Sequence, residues 1–331
     1  MISRILAFRP ASVVERLDPR SEACPLSTRE LLGPAAELGL ILPVVRAPIG
    51  AVARGALVAA KELKSVLGLA MPPAASPDAW FDAVTSAADE VAAGSPIFLS
   101  AEVVVADEGG PQVERAFHEA WRLVGAGLTH LAIDVSAVAP GERGRVVGEV
   151  AEAGVEHGIC VDVVVPLSEG AQAGPRAAAI FDELIRRGAP ADLASVRCPA
   201  PESADEARLQ VAALARICQA LAGVPVMRRG PVTPALVDAL RGSPVKVCED
   251  GGEASARAVG VIPWALVPSP GGDEEARGSA LERAASELSQ ESLERLEARA
   301  YVDALDFMER LGARGSGPAL ARALARRLEE S

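Results

Sequence analysis

The sequence predicts an α/β protein, a (β/α)8 TIM barrel with a C-terminal helical extension, on three observations. Eight apolar runs of strand length, at 39–46, 66–71, 96–105, 130–136, 160–166, 192–198, 224–229 and 244–249, alternate with segments of helical spacing. Five runs lead into a polar group, at Glu102, Asp134, Asp162, Arg228 and Asp250. Polar residues at the C-terminal ends of successive parallel strands are where such a barrel keeps its active site. Half of the residues are apolar but only 3% are aromatic, which favours closely packed helices over parallel strands rather than an aromatic-filled sandwich.

In chain order, residues 1–38 supply a lead-in and a helix under the barrel, with Ser27-Thr-Arg-Glu30 reading as a capping box. Helical spacing then follows over 51–64, 113–124, 145–155, 178–187 and 204–221. The run Val161-Asp-Val-Val-Val165, apolar on both faces, suits a strand covered by helices outside and packed by its neighbours inside. Turn signals at Gly125-Ala-Gly127, Gly188-Ala-Pro190, Gly223 and Arg241-Gly-Ser-Pro244 separate the units. A doubly wound sheet would give the same alternation, but no Gly-x-Gly-x-x-Gly follows the first strand. The barrel and its lead-in are assigned to 1–267. A linker rich in Pro, Gly and charge and the helical extension fill 268–331, broken at Gly312-Ala-Arg-Gly-Ser-Gly317; the extension could cover the barrel or bind a second subunit.

The 331 residues carry a formal charge of -12, so the chain repels polyphosphate and anionic membrane surfaces, and neither nucleic acid nor membrane is expected as a partner. No apolar run reaches the roughly 18 residues of a membrane span. The start Met1-Ile-Ser-Arg-Ile-Leu6 lacks the apolar block of a signal peptide, and a cytoplasmic location is expected. Cys24, Cys160, Cys198, Cys218 and Cys248 form no Cys-x-x-Cys pair and read as reduced, mostly buried thiols.

Gly127-Leu-Thr-His-Leu-Ala-Ile-Asp-Val-Ser136 resembles the Gly-Phe-Thr-x-x-x-Ile-Asp-x-Ser strand of class II (zinc) ketose-bisphosphate aldolases. The surroundings follow the same order. Glu156-His-Gly-Ile-Cys-Val-Asp162 resembles the family's Gly-Val-x-Val-Glu strand, and Asp192-Leu-Ala-Ser-Val-Arg197 its sixth strand. Val224-Pro-Val-Met-Arg-Arg-Gly-Pro-Val-Thr-Pro234 is similar to Val-Pro-Leu-Val-Leu-His-Gly-x-Ser-Gly-x-Pro, and Val245-Lys-Val-Cys-Glu-Asp250 to Lys-x-Asn-x-Asp-Thr. The similarity covers roughly 96–260. Pro96-Ile-Phe-Leu-Ser-Ala-Glu102 and Val161-Asp-Val-Val-Val-Pro166 look closer still to the non-catalytic subunit of tagatose-bisphosphate aldolase.

The resemblance implies a zinc site of three histidines, and none survives. Their positions fall on Val103 or Glu102, on the Cys198-Pro199 region, and on Arg228. A guanidinium cannot ligate a metal and places a fixed positive charge where zinc would sit. In the family's phosphate loop Pro231 and Val232 replace Ser-Gly, while Gly230 and Pro234 remain; Cys248 stands for a substrate-binding Asn and Gly251 for a phosphate-binding Thr.

The candidate catalytic residues are therefore Glu102, Asp134, Asp162 and Lys246, and the candidate substrate-binding residues Arg46, Ser136, Arg228, Gly230, Cys248 and Asp250. No metal ligand and no cofactor are assigned: zinc is not expected, although clustered carboxylates would suit an oxygen-ligated Mg²⁺. The bland alternative is that Arg228, Arg197 and Lys246 pair with these acids as a structural network replacing the metal. His118 and His157 read as surface or packing residues and His130 as a residue at the barrel bottom, so no histidine is a catalytic candidate. Because side chains alternate, Lys246, Cys248 and Asp250 share one face, and an inward Asp250 would bring Lys246 inward too. The expected function is a divergent aldolase-like protein acting as a non-catalytic or regulatory subunit, in a homo-oligomer or beside a catalytic aldolase-type partner. The alternative is an active lyase on a small sugar or sugar phosphate, using the carboxylates with Mg²⁺ or Lys246.

Overall fold

The computed structural model describes residues 5–73, 75–167, 173–221, 223–250 and 286–330. After α1 (Ala11–Arg16), the short β1 (Cys24–Pro25) and α2 (Thr28–Glu37) come eight parallel strands. They are β2 (Leu42–Arg46), β3 (Leu67–Ala70), β4 (Pro96–Val104), β5 (His130–Asp134), β6 (Cys160–Pro166), β7 (Leu193–Arg197), β8 (Val226–Arg229) and β9 (Val247–Asp250). Each pairs with the next, and β9 pairs back onto β2 through Leu42 opposite Val247 and Val44 opposite Glu249, which closes the cylinder. All eight expected strands are present.

Between the strands run α3 (Gly50–Leu63), α4 (Pro77–Ala92), α5 (Gly110–Gly125), α6 (Arg143–Val150), α7 (Glu152–Glu156), α8 (Ala173–Arg186), α9 (Ala204–Ala220) and α10 (Pro234–Leu240). α11 (Gln290–Leu311) packs on α3 and α10, the first and last of these around the barrel, and so takes the place of the eighth barrel helix. The contact is close: a Cβ on Gly55 of α3 would lie 2.2 Å from the Glu297 carbonyl oxygen. α12 (Ser316–Glu330) packs on α2. Ser27 does occupy the N-cap of α2, but its side chain makes no cap hydrogen bond, so the expected capping box is present in position only.

Two apolar regions hold the fold. The larger lies between barrel wall and helices and is built from the outward side chains, among them Leu99, Ile133, Val163 and Val196, against α3 to α11. The smaller fills the bottom of the lumen with Leu42, Val44, Phe98, Cys160, Leu193, Met227 and Val247, and continues into Leu31 and Leu32 of α2 and Leu320 and Leu324 of α12. These inward residues fix the parity of every strand, since side chains alternate along it. Continuing the alternation toward the C-terminal ends brings Arg46, Ser100, Glu102, Asp134, Asp162, Ser195, Arg197, Arg229 and Glu249 into the upper lumen. The lumen is thus apolar below and ionic above.

Candidate functional site

Arg229 stands at the centre of the ionic layer with only 2% of its surface exposed. Its Nη1 lies 2.6 Å from Glu249 Oε2 and 3.7 Å from Glu102 Oε2, its Nη2 donates to Asp162 Oδ2 at 2.8 Å, and its Nε donates to Ser195 Oγ at 3.0 Å. Ser195 in turn donates to Asp162 Oδ2 at 2.6 Å. His130 reaches the same oxygen with Nε2 at 3.2 Å and Thr28 of α2 with Nδ1 at 2.9 Å, tying the lumen to the helix beneath it. At the mouth, Arg46 donates to Glu249 Oε1 at 2.7 Å, and Nη2 of Arg197 bridges Glu102 and Asp134, the latter at 2.7 Å. Asp134 also accepts the backbone N–H of Ser136 at 2.8 Å.

The electrostatics follow from burial and pairing. Burial alone would push the Asp162 and Glu249 carboxyls up, but Arg229 reverses this and both lie below the usual carboxylate range. His130 and Ser195 assist at Asp162, and Arg46 at Glu249. Burial likewise opposes the charge on Arg229 and on Arg197, and the adjacent carboxylates more than restore it. Both guanidiniums are permanent cations.

The structure brings Glu102, Asp134, Asp162 and Arg46 together as the sequence suggested. It corrects the parity of the last two strands. Arg228 points away from the lumen: it is fully buried between the barrel wall and α9, donating to Gln210 Oε1 at 3.3 Å and to the carbonyls of Pro199 at 3.3 Å, Pro231 at 2.6 Å and Gly230. The inward arginine is its neighbour Arg229. Likewise Glu249, not Asp250, is the inward acid of β9. Asp250, Cys248 and Lys246 do share one face, but it is the outer one: Cys248 belongs to the wall-and-helix core, and Lys246 lies in the field of Cys218 on α9. Asp250 is half-buried there, and burial pushes its carboxyl up to about 7, partly offset by the Val232 backbone N–H and the charge of Arg228.

Gly230 adopts φ +122°, and a Cβ there would meet the Cys198 carbonyl oxygen at 2.3 Å, so this close crossing of two mouth loops needs glycine. All five thiols are free. Burial pushes Cys248 up to about 12 and Cys198 up to about 11, which leaves them protonated and inert. His118 is on the surface and His157 packs against Trp121, both as expected. His130, expected at the barrel bottom and away from the site, takes part in the lumenal network through Asp162 and Thr28. So do Thr28, Ser195, Arg229 and Glu249, none of which stood among the candidates.

His130 has both ring nitrogens engaged, and among the described residues no group of three His, Cys, Asp or Glu side chains is arranged to hold a metal. No family model and no curated protein matches the sequence. Solved structures do. The YdjI aldolase from Escherichia coli K12 superposes with a TM-score of 0.60 at 14% identity over 88% of this chain and 98% of that one. A fructose-1,6-biphosphate aldolase candidate from Coccidioides immitis superposes with a TM-score of 0.57 at 15% identity, over 87% and 96% of the two chains. At such identity the likeness establishes an aldolase-like fold, and function has to be argued from the site.

Proposed function

We propose that this chain is a divergent class II aldolase-like barrel in which fixed guanidinium charges replace the metal, and that it serves as a non-catalytic or regulatory partner subunit. The observation that carries this reading is Arg229, wholly buried in the lumen and engaged by Glu249, Asp162 and Ser195. A metal-dependent aldolase needs carboxylates and imidazoles free to meet an ion and a substrate oxygen. Here the acids are engaged by three arginines. The loop after β8 supports the same reading, because the Gly230 and Pro231 carbonyls turn onto Arg228. Lysine chemistry lacks support, since Lys246 lies on the outer face.

On this reading the partner is a second copy or a catalytic aldolase-type subunit, any ligand at the mouth is a small sugar or sugar phosphate, and the location is the cytoplasm. Purified protein should carry far less than one zinc per chain and should not cleave fructose or tagatose bisphosphate. Retro-aldol turnover that depends on an added divalent metal and disappears on chelation would overturn the proposal. A strictly monomeric mass together with failure to change the activity of an aldolase-type partner would remove the regulatory part.

A further inference from the structure

We infer that the upper lumen binds a hydrogen-bond-donating ammonium group, either free ammonium or the head of a small primary amine, between Ser100, Glu102 and Asp162. The site uses the same lumenal network as the proposed function but does not rest on the aldolase-like reading, and its test reads ion binding rather than turnover or zinc content. Three buried oxygens there have no hydrogen-bond partner: Ser100 Oγ, Glu102 Oε2 and Asp162 Oδ1. Ser100 is 1% exposed and Asp162 not at all. Every hydrogen-bond donor on Asp162 converges on its other oxygen, which takes Arg229, Ser195 and His130.

The three groups share one side of the lumen. Ser100 and Glu102 are two apart on β4 and face inward together. Asp162 lies in the same row as Glu102, two strands along, with only the small Ala132 between them. Ser100 is flanked by Ala70 on one side and by His130 on the other, and His130 in turn meets Asp162 at 3.2 Å. Glu102 and Asp162 also approach one guanidinium, at 3.7 and 2.8 Å, so their carboxyl groups converge.

The chemistry of the ligand follows from what is unsatisfied. Two of the three atoms are carboxylate oxygens that only accept, and a hydroxyl completes the set, so the ligand must donate. Arg229 places its short bonds elsewhere, on Glu249, on the other oxygen of Asp162 and on Ser195, and its Nη1 comes no nearer than 3.7 Å to Glu102 Oε2. The charge count points the same way: four carboxylates, Glu102, Asp134, Asp162 and Glu249, face three guanidiniums, Arg46, Arg197 and Arg229. One positive charge completes the set, and ammonium brings it with tetrahedral donors.

The test is thermal unfolding of the full chain in ammonium chloride, methylammonium chloride, potassium chloride and sodium chloride at equal ionic strength. Ammonium should raise the midpoint by about 2–4 °C relative to sodium when well above its dissociation constant. A matching rise with methylammonium assigns the site to an amine head, and a rise with ammonium alone assigns it to the free ion. Ser100→Ala, which loses only an unpartnered hydroxyl, should fold normally and reduce the shift, and Glu102→Gln should abolish it. Equal effects of potassium and ammonium, no ammonium effect, or an undiminished shift in both variants would overturn the inference. So would histidine ¹⁵N spectra in ammonium-free buffer showing His130 as an imidazolium at neutral pH, since the network would then already be neutral.

Discussion

Replacing Arg229 with methionine is the sharpest test of the lumenal network. Methionine fills much of the same volume but removes the charge that Glu249 meets at 2.6 Å and Asp162 at 2.8 Å. Taking one partner from a buried ion pair costs about 3–5 kcal/mol, because the other charge is left without compensation. Three carboxylates are affected, Glu102 at 3.7 Å most weakly, but none is abandoned: Arg46 still holds Glu249 at 2.7 Å, Ser195 and His130 still hold Asp162, and Arg197 still holds Glu102. We therefore place the loss near the middle of that range, about 4 kcal/mol, rather than at twice it. Urea unfolding at pH 7 with linear extrapolation measures it directly. The pH dependence has a defined sign. In the parent, Asp162 and Glu249 lie below their ordinary values, so they contribute stability above the normal carboxylate range that is lost as pH falls through their folded-state values. Without the guanidinium the buried carboxyls protonate more readily, so the penalty should shrink toward pH 4. Adding Asp162→Asn and Glu249→Gln should recover most of the loss at pH 7. A cost below about 1 kcal/mol, or one that does not change between pH 7 and 4, would refute the reasoning.

Other outcomes follow from the outer face and the helix ring. Arg228→Met should destabilise by about 2 kcal/mol, because the Pro199, Gly230 and Pro231 carbonyls lose their donor, and hydrogen exchange should speed up in both mouth loops. Asp250 has a folded-state value of about 7 against an ordinary 3.8, so its ionisation opposes folding increasingly as pH rises between the two. Asp250→Asn should therefore match the parent near pH 4 and exceed it at pH 8. The upper bound is about 4 kcal/mol, less what residual solvent contact screens, and denaturant midpoints at the two pH values decide it. Gly55→Ala forces a methyl to within 2.2 Å of the Glu297 carbonyl oxygen and should cost about 1–3 kcal/mol in thermal or urea unfolding by displacing α11 from α3.

The sequence by itself determined the architecture and most of the acids. Eight apolar runs separated by turn residues have few alternatives to a closed parallel barrel, because such strands must be covered on the outside and packed within. Glu102, Asp134 and Asp162 were legible because each is the one acid in its strand. In β8 and β9 the charges come in adjacent pairs, Arg228-Arg229 and Glu249-Asp250, and period-two alternation alone cannot say which member turns inward. Lys246 held the clue: an ammonium deep in the packed lumen is costly, so its parity belongs to the outer face, and Glu249 then falls inside. His130 was overlooked because a strand start reads as the barrel bottom, whereas the stagger of the strands sets it beside Asp162 and Arg229. Only the tertiary structure decided these matters, since register between strands distant in sequence fixes which charges meet. What a buried carboxylate does depends on the cation placed opposite it.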